Sequence, residues 1–407
     1  MRVARVDWTE GEGAFYADDL MAIRAGARHD GFAYLGEPVT PGFRAVRSPA
    51  RAMLLRLETA AGAHGWGDAV SVQYAGVGGR DAPVDPVALA PQLAVAAEAL
   101  VAAGELGFAE GCAVIEGVRS DGAQLHTALR FGLSQALLAA EAAERGVPLL
   151  RVLARLSDLT APRVLPVYAQ SGEERQVNAD RMILRGVEVL PHGLFNSLDA
   201  LGADGGAFLD YVRWLRARVD AIGAPGYRPR LHLDVYGMPG VAFDRDIDRI
   251  ATFVQDAETA AGGLPLALEA PVFGDDQAQT IDLLARLRTE LRARGCAVAL
   301  VADEFCNGDE DVARFVDAGA VDLIQIKMPD LGCLTEAIAA AQACRAAGLG
   351  VFIGGSCAET DLSAIASANV AMAVEADQVL ARPGMGVDEG VTIVRNAMRR
   401  ALVDWSA

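Results

Sequence analysis

From about residue 161 onward the sequence repeats one pattern: a short, nearly continuous apolar run followed by a stretch with a single apolar helical face. The runs are VLPVYAQSG, MILRGVEVLP, LHLDVYG, LPLALEAPV, AVALVADEF, LIQIKMPD, VFIGGSC and QVLARPGMG. Such runs suit parallel strands buried on both faces, because a strand covered on one face alternates apolar with polar residues. The intervening stretches, such as QTIDLLARLRTELRARG and LTEAIAAAQACRAAGLG, carry an apolar stripe and end in Gly. Eight βα units in about 250 residues are what a closed barrel needs. The predicted fold class is therefore α/β, a (β/α)8 TIM-type barrel over residues 161–407.

Residues 1–160 read differently. The turn-rich HDGFAYLGEPVTPGF and the alternating strand ARAMLLRLETAAG precede two helical runs, APQLAVAAEALVAAGELG and HTALRFGLSQALLAAEAAERG. This order predicts an N-terminal α+β capping domain, bounded near TAPRVLPVYAQSG by the change of pattern alone. With 52% hydrophobic but only 6% aromatic residues, the core must be aliphatic.

Charge and cysteine usage narrow the class of function. A net charge of -18 argues against nucleic acid and anionic membrane partners, both of which want clustered Lys and Arg. No apolar run reaches the length of a bilayer span and MRVARVDWTEGEG has no signal-like apolar core, so a cytoplasmic protein is expected. The six cysteines show no CxxC pair and no zinc-like spacing, which favours free thiols.

In a barrel of this kind the chemistry sits at the C-terminal strand ends. Those ends offer Gln170, His192, Asp234, Glu269, Asp303, Gln325 with Lys327, and Ser356 with Cys357. Asp234, Glu269 and Asp303 stand one βα unit apart, about 35 residues each, on the third, fourth and fifth strands. Three acids so placed either pair with arginines and cap helices, or hold a divalent cation; hard oxygen ligands with open positions suit Mg2+. Of the 36 basic residues a single one, Lys327, is lysine. Arg can replace Lys on a solvated surface but cannot lose its proton, so general-base chemistry tolerates only the lysine. Burial and a nearby cation should push the Lys327 pKa down. Abstraction of a proton α to a metal-held carboxylate follows as the predicted reaction, and Gln325 faces the same interior side.

His192, across the barrel, is either a second base for the opposite substrate face or a structural residue. His232 points inward one layer deeper than Asp234, as a packed or supporting group, and His29, His64 and His126 read as structural. QYAGVGGRD and RPGMGVDEG lack phosphate-loop context and read as mobile lids or turns; Cys306 and Cys357 read as core packing, with the backbone around Cys357 facing substrate.

The strand-end order Asp, Glu, Asp, Lys resembles that of the enolase superfamily, whose sites pair a Lys or His base with Mg2+. Within it, FYADDLMAIRAGARHDGFAYLG, SVQYAGVGGRD, LHTALRFGLSQALL, PVYAQSG, VLPHGLFN, HLDVYG, LVADEFCN, QIKMPDLG, GGSCAETD and VLARPGMGVDEG are similar to segments of 3-methylaspartate ammonia-lyases. The resemblance implies reversible loss of ammonia from L-threo-3-methylaspartate to give mesaconate, in glutamate breakdown. It further implies a homodimer with Mg2+ and K+ as activator. Residue by residue it implies Asp234, Glu269 and Asp303 as metal ligands, Lys327 as base for the (3S) substrate and His192 as the opposing base. Gln73, Gln170, His192, Gln325, Ser356, Cys357 and Leu380 match positions that hold the carboxylates, the ammonium and the methyl group. Ser356 departs from the family's Thr, and Arg185, read on the second strand, replaces the second lysine of racemases. Competing readings are an acid-sugar dehydratase or amino-acid epimerase of the same superfamily, and a non-catalytic metabolite-binding barrel.

Overall fold

The computed structural model describes every residue except 78, 173, 194, 307, 383, 385, 386 and 407, together with all side chains but those of Arg24 and Asp309. Eight parallel strands close a barrel: Val167–Tyr168, Val189–Leu190, Arg230–Asp234, Leu266–Glu269, Ala299–Ala302, Leu323–Lys327, Gly350–Gly354 and Gln378–Leu380. They are numbered here from one to eight. The eighth strand pairs with the first through Val379–Val167 and Leu380–Tyr168, which removes both sheet edges. Apolar side chains such as Leu231, Leu233, Leu268, Leu300, Ile324, Ile326 and Ile353 are fully buried, as two covered faces require. Asp234 and Glu269 are register partners on adjacent strands, so their side chains leave the barrel side by side.

The first part of the chain forms a three-stranded antiparallel sheet, Val3–Asp18, Arg47–Thr59 and His64–Ala69, backed by the helix Thr127–Arg145. His126 caps that helix by accepting the Ala128 N–H, and Gly146 ends it at φ 61°, a left-handed conformation Gly adopts freely. Sheet and helix approach closely because Gly65 and Gly67 carry no side chain: a Cβ on either would collide with backbone of Ala136 and Gly132.

Two elements differ from the sequence reading. The strand Val3–Asp18 has a mostly solvated outer face, so its polar residues gave no alternating signal. Residues of MIL and Arg185 belong to the end and cap of the helix Arg175–Leu184, so the second strand is only Val189–Leu190. Arg185 is therefore on no barrel strand; it faces solvent and pairs with Asp388. Among the described residues no helix is long and apolar enough to cross a membrane.

Candidate active site

A cavity of about 60 Å³ opens at the C-terminal ends of the strands. Gln73, Gln170, His192, Asp234, Asp303, Gln325, Lys327, Ser356, Cys357 and Leu380 all line it. Glu269 is completely buried beside it. All of these but Gln73 come from barrel strand ends, and Gln73 arrives from the N-terminal part of the chain. Gln73 Nε2 donates to Asp18 Oδ2 at 2.8 Å, and Asp18 is gripped in turn by Arg47 at 2.7 and 2.8 Å, a bidentate pair that fixes the amide.

The chain bends sharply after each acid. Tyr236, Ala270 and Phe305 follow Asp234, Glu269 and Asp303 at φ 49°, 51° and 64°, conformations that cost non-glycine residues energy and are held by the surrounding structure. The first bend is stitched by the Tyr236 N–H donating to Asp234 Oδ1 at 3.0 Å. Glu269 accepts from Gln325 Nε2 at 2.6 Å through one oxygen, and its other oxygen lies 2.8 Å from His232 Nε2. His232 is oriented from behind by Gln378 Nε2, 2.7 Å from its Nδ1, and it stacks on Tyr168. Its place is thus that of a buried support for Glu269.

Burial, and then Glu269 and Asp303 as like charges, push the Asp234 carboxyl well above its usual range; burial and Asp303 do the same to Glu269. Such acids fit a site that a divalent cation completes, since the ion keeps them ionised. His192, Asp234 and Glu269 offer ligand atoms within 4.8 Å of one another, with His192 Nε2 3.4 Å from Asp234 Oδ2. Asp303 is turned instead to Lys327, whose Nζ lies 2.9 Å from Oδ2 and 2.8 Å from Oδ1. Burial, aided by His232 and Lys327, lowers the His192 pKa to about 3, so the imidazole is neutral at pH 7.

Among the protein's own groups, burial disfavours the Lys327 ammonium as expected, but the Asp303 carboxylate in contact outweighs it and raises the pKa. Cys357 is not core packing, for its thiol lines the cavity 3.0 Å from Gln170 Oε1 and 3.5 Å from Gln73 Oε1. Burial raises its pKa to about 12, which leaves a neutral thiol and no nucleophile. QYAGVGGRD, read as a mobile lid or turn, forms turns over its described residues, and its Arg80 lines the cavity, buried between Asp330 and Glu304. The companion reading for RPGMGVDEG rests on positions 383, 385 and 386, which lie outside the described residues.

The sequence also passed over Tyr74, Tyr236, Glu304 and Phe352, which line the same cavity. Another omission supports it: fully buried Arg382 donates to Glu359 at 2.8 Å and to the Gly354 carbonyl at 2.6 Å. Glu359 accepts the Ser356 N–H, so this pair fixes the segment that presents Ser356 and Cys357.

Comparison with known proteins covers the whole chain. The family described as methylaspartate ammonia-lyase N-terminus matches residues 1–157, and its C-terminal counterpart matches residues 159–406. Methylaspartate ammonia-lyase of Haloarcula marismortui is 44% identical over 409 residues, 99% of this chain and 97% of that protein. The crystal structure of the Citrobacter amalonaticus methylaspartate ammonia-lyase containing (2S,3S)-3-methylaspartic acid superposes with a TM-score of 0.97 at 40% identity, covering 100% of both chains. The magnesium complex of β-methylaspartase from Clostridium tetanomorphum gives 0.95 at 40%, covering 100% of this chain and 99% of that one. At 19% identity and a TM-score of 0.65, over 96% of this chain and 91% of the other, the L-Ala-D/L-Glu epimerase of Bacillus subtilis shares the fold alone.

Proposed function

The chain belongs to the methylaspartate ammonia-lyase family, and from that premise we propose how its residues carry out the elimination of ammonia from L-threo-3-methylaspartate to give mesaconate. It is a carbon–nitrogen lyase acting on a small dicarboxylate. The observation that carries the residue assignment is that the only lysine of the chain stands in the polar cavity at the barrel mouth, beside the buried acids.

Asp234, Glu269 and Asp303 would hold Mg2+, for which their mutual repulsion is the physical support. The ion, when bound, would hold a substrate carboxylate and absorb the charge that builds on it as the neighbouring C–H bond ionises. A cation drawing on the Asp303 carboxylate would weaken its ion pair with Lys327 and favour the neutral amine that can act as a base. Lys327 Nζ takes the C3 proton; the C–H electron pair becomes the new C2–C3 π bond, and the C2–N pair leaves with ammonia. His192 presents its neutral imidazole to the opposite face and serves the epimeric substrate. Gln73, Gln170, Gln325, Ser356 and Cys357 orient the carboxylates and the ammonium, and Leu380 receives the methyl group. Ser356 keeps the hydroxyl that a Thr would offer and leaves more room beside it.

The same reading places the domain division at 160/161, between the antiparallel sheet with its helices and the first barrel strand. It includes K+ as a monovalent activator and a homodimeric assembly, both carried by the family resemblance. Six free, buried cysteines support a reducing cytoplasmic setting. Ultraviolet absorbance from the conjugated product, recorded with L-threo-3-methylaspartate, Mg2+ and K+, tests the proposal. Mesaconate formation that EDTA abolishes and Mg2+ restores is expected; a folded, metal-loaded protein that forms no mesaconate would overturn it.

A further inference from the structure

One buried cation at the cavity has no part in the reaction as derived above. Arg80 belongs to the connection between the strand His64–Ala69 and the helix Pro86–Ala102, outside the barrel, yet its side chain is only 4% exposed and lines the cavity. Its Nε donates to Asp330 Oδ2 at 2.7 Å, and its Nη2 lies 3.1 Å from Glu304 Oε2. Taking a guanidinium out of water is costly unless it is paired, so two partners in one place are what keep it there. Burial works against its charge, and Glu304 and Asp330 restore it.

The positions of those partners matter. Glu304 directly follows Asp303 at the end of the fifth strand, and Asp330 lies in the one-turn helix Met328–Leu331 that directly follows Lys327 on the sixth. Lys327 and Asp303 are themselves in contact. The guanidinium fork therefore ties together the two strand ends that carry the Lys327–Asp303 pair. The Nε–H makes a directed hydrogen bond to Asp330 and Nη2 faces Glu304 as an ion pair, so the extended guanidinium spans the two acids where a compact ammonium would be a single point charge.

We infer that Arg80 is a positioning residue for proton abstraction, clamping the ends of the fifth and sixth strands through Glu304 and Asp330 so that Lys327 Nζ is held in line with the C3–H bond. The inference rests on Lys327 being the base. It separates from a simple docking role, because the Arg80 loop also carries Gln73, and an arginine that merely seats this loop would act on substrate binding.

The test is steady-state kinetics of the full-length Mg2+-loaded enzyme with L-threo-3-methylaspartate and its 3-deuterated form. Arg80→Gln should lower kcat by about 10- to 100-fold while KM stays within about twofold, since misplacement of a reacting group by about 1 Å costs rate rather than affinity. The primary deuterium isotope effect on kcat should rise, as C–H cleavage becomes more limiting. Arg80→Lys should fall between wild type and Arg80→Gln. Asp330→Asn, which removes one arm of the clamp, should give the same signature in weaker form and keeps the test available should Arg80→Gln not fold. A KM raised tenfold with kcat and isotope effect unchanged would overturn the inference in favour of loop docking, and unchanged kinetics in both variants would overturn it outright. An active Lys327→Ala enzyme would instead overturn the base assignment, whatever Arg80 does.

Discussion

At the residue scale the chemistry turns on which groups can exchange a proton. A guanidinium at position 327 would keep the charge and lose the base, so Lys327→Arg should be nearly as inactive as Lys327→Ala, with kcat down roughly 10²- to 10⁴-fold. The mesaconate assay checks this, and an active Lys327→Arg enzyme contradicts the assignment. His192, neutral and across the cavity, predicts that His192→Ala harms turnover of the L-erythro epimer more than that of L-threo; equal losses would leave it a positioning role. The strand-end acids and Lys327 were legible in the sequence because a residue at a strand's C-terminal end is placed by the barrel's own repeat. Arg80 was not legible: its partner Asp330 lies 250 residues away, and nothing local to QYAGVGGRD points there. The Asp303 contact that raises the Lys327 pKa was not legible for a related reason, since only the closed barrel brings the two side chains together.

At the scale of elements, one carboxylate joins three pieces of the N-terminal part. Glu141, in the helix Thr127–Arg145, accepts the Phe108 N–H at the start of the helix Phe108–Gly117 and pairs with Arg145 at 2.9 Å and Arg155 at 2.7 Å. Burial raises its pKa, but that N–H and the two arginines outweigh it and hold the carboxyl below its usual range. A depressed folded pKa means the stabilisation is complete above the unfolded carboxyl's pKa, about 4.3, and is lost as pH falls through the folded value. Glu141→Ala should therefore lower unfolding stability at pH 7 by about 1–2 kcal/mol, mostly through the orphaned N–H, because both arginines are half exposed and screened. Urea unfolding of the two proteins should show the gap narrowing below pH 4; a gap that widens there would contradict the linkage. Helices with a strong apolar stripe were readable as elements, whereas the short second barrel strand merged with its preceding helix in the sequence because MIL and VEVLP are alike in hydropathy.

For the whole molecule, three buried acids at one barrel mouth predict that a bound divalent cation adds to the stability of the fold. Mg2+ at about 100 times its Kd should stabilise the fold by about 2.7 kcal/mol, raising the thermal midpoint by several degrees. Glu269→Gln should lose most of that response, while Lys327→Ala, with all three acids intact, should keep it. Thermal melts with and without Mg2+ decide, and a metal response undiminished in Glu269→Gln would place the ion elsewhere. The sequence by itself determined the barrel, its eight strands and the acids and lysine at their ends, because periodicity and strand-end position are local properties that one βα unit after another repeats. Only the tertiary structure decided how those groups are charged and held. Asp303 against Lys327, Cys357 against Gln170, Arg80 between Glu304 and Asp330, and Arg382 against Glu359 are pairings between separate stretches, and their energies exist only once the barrel closes and water leaves.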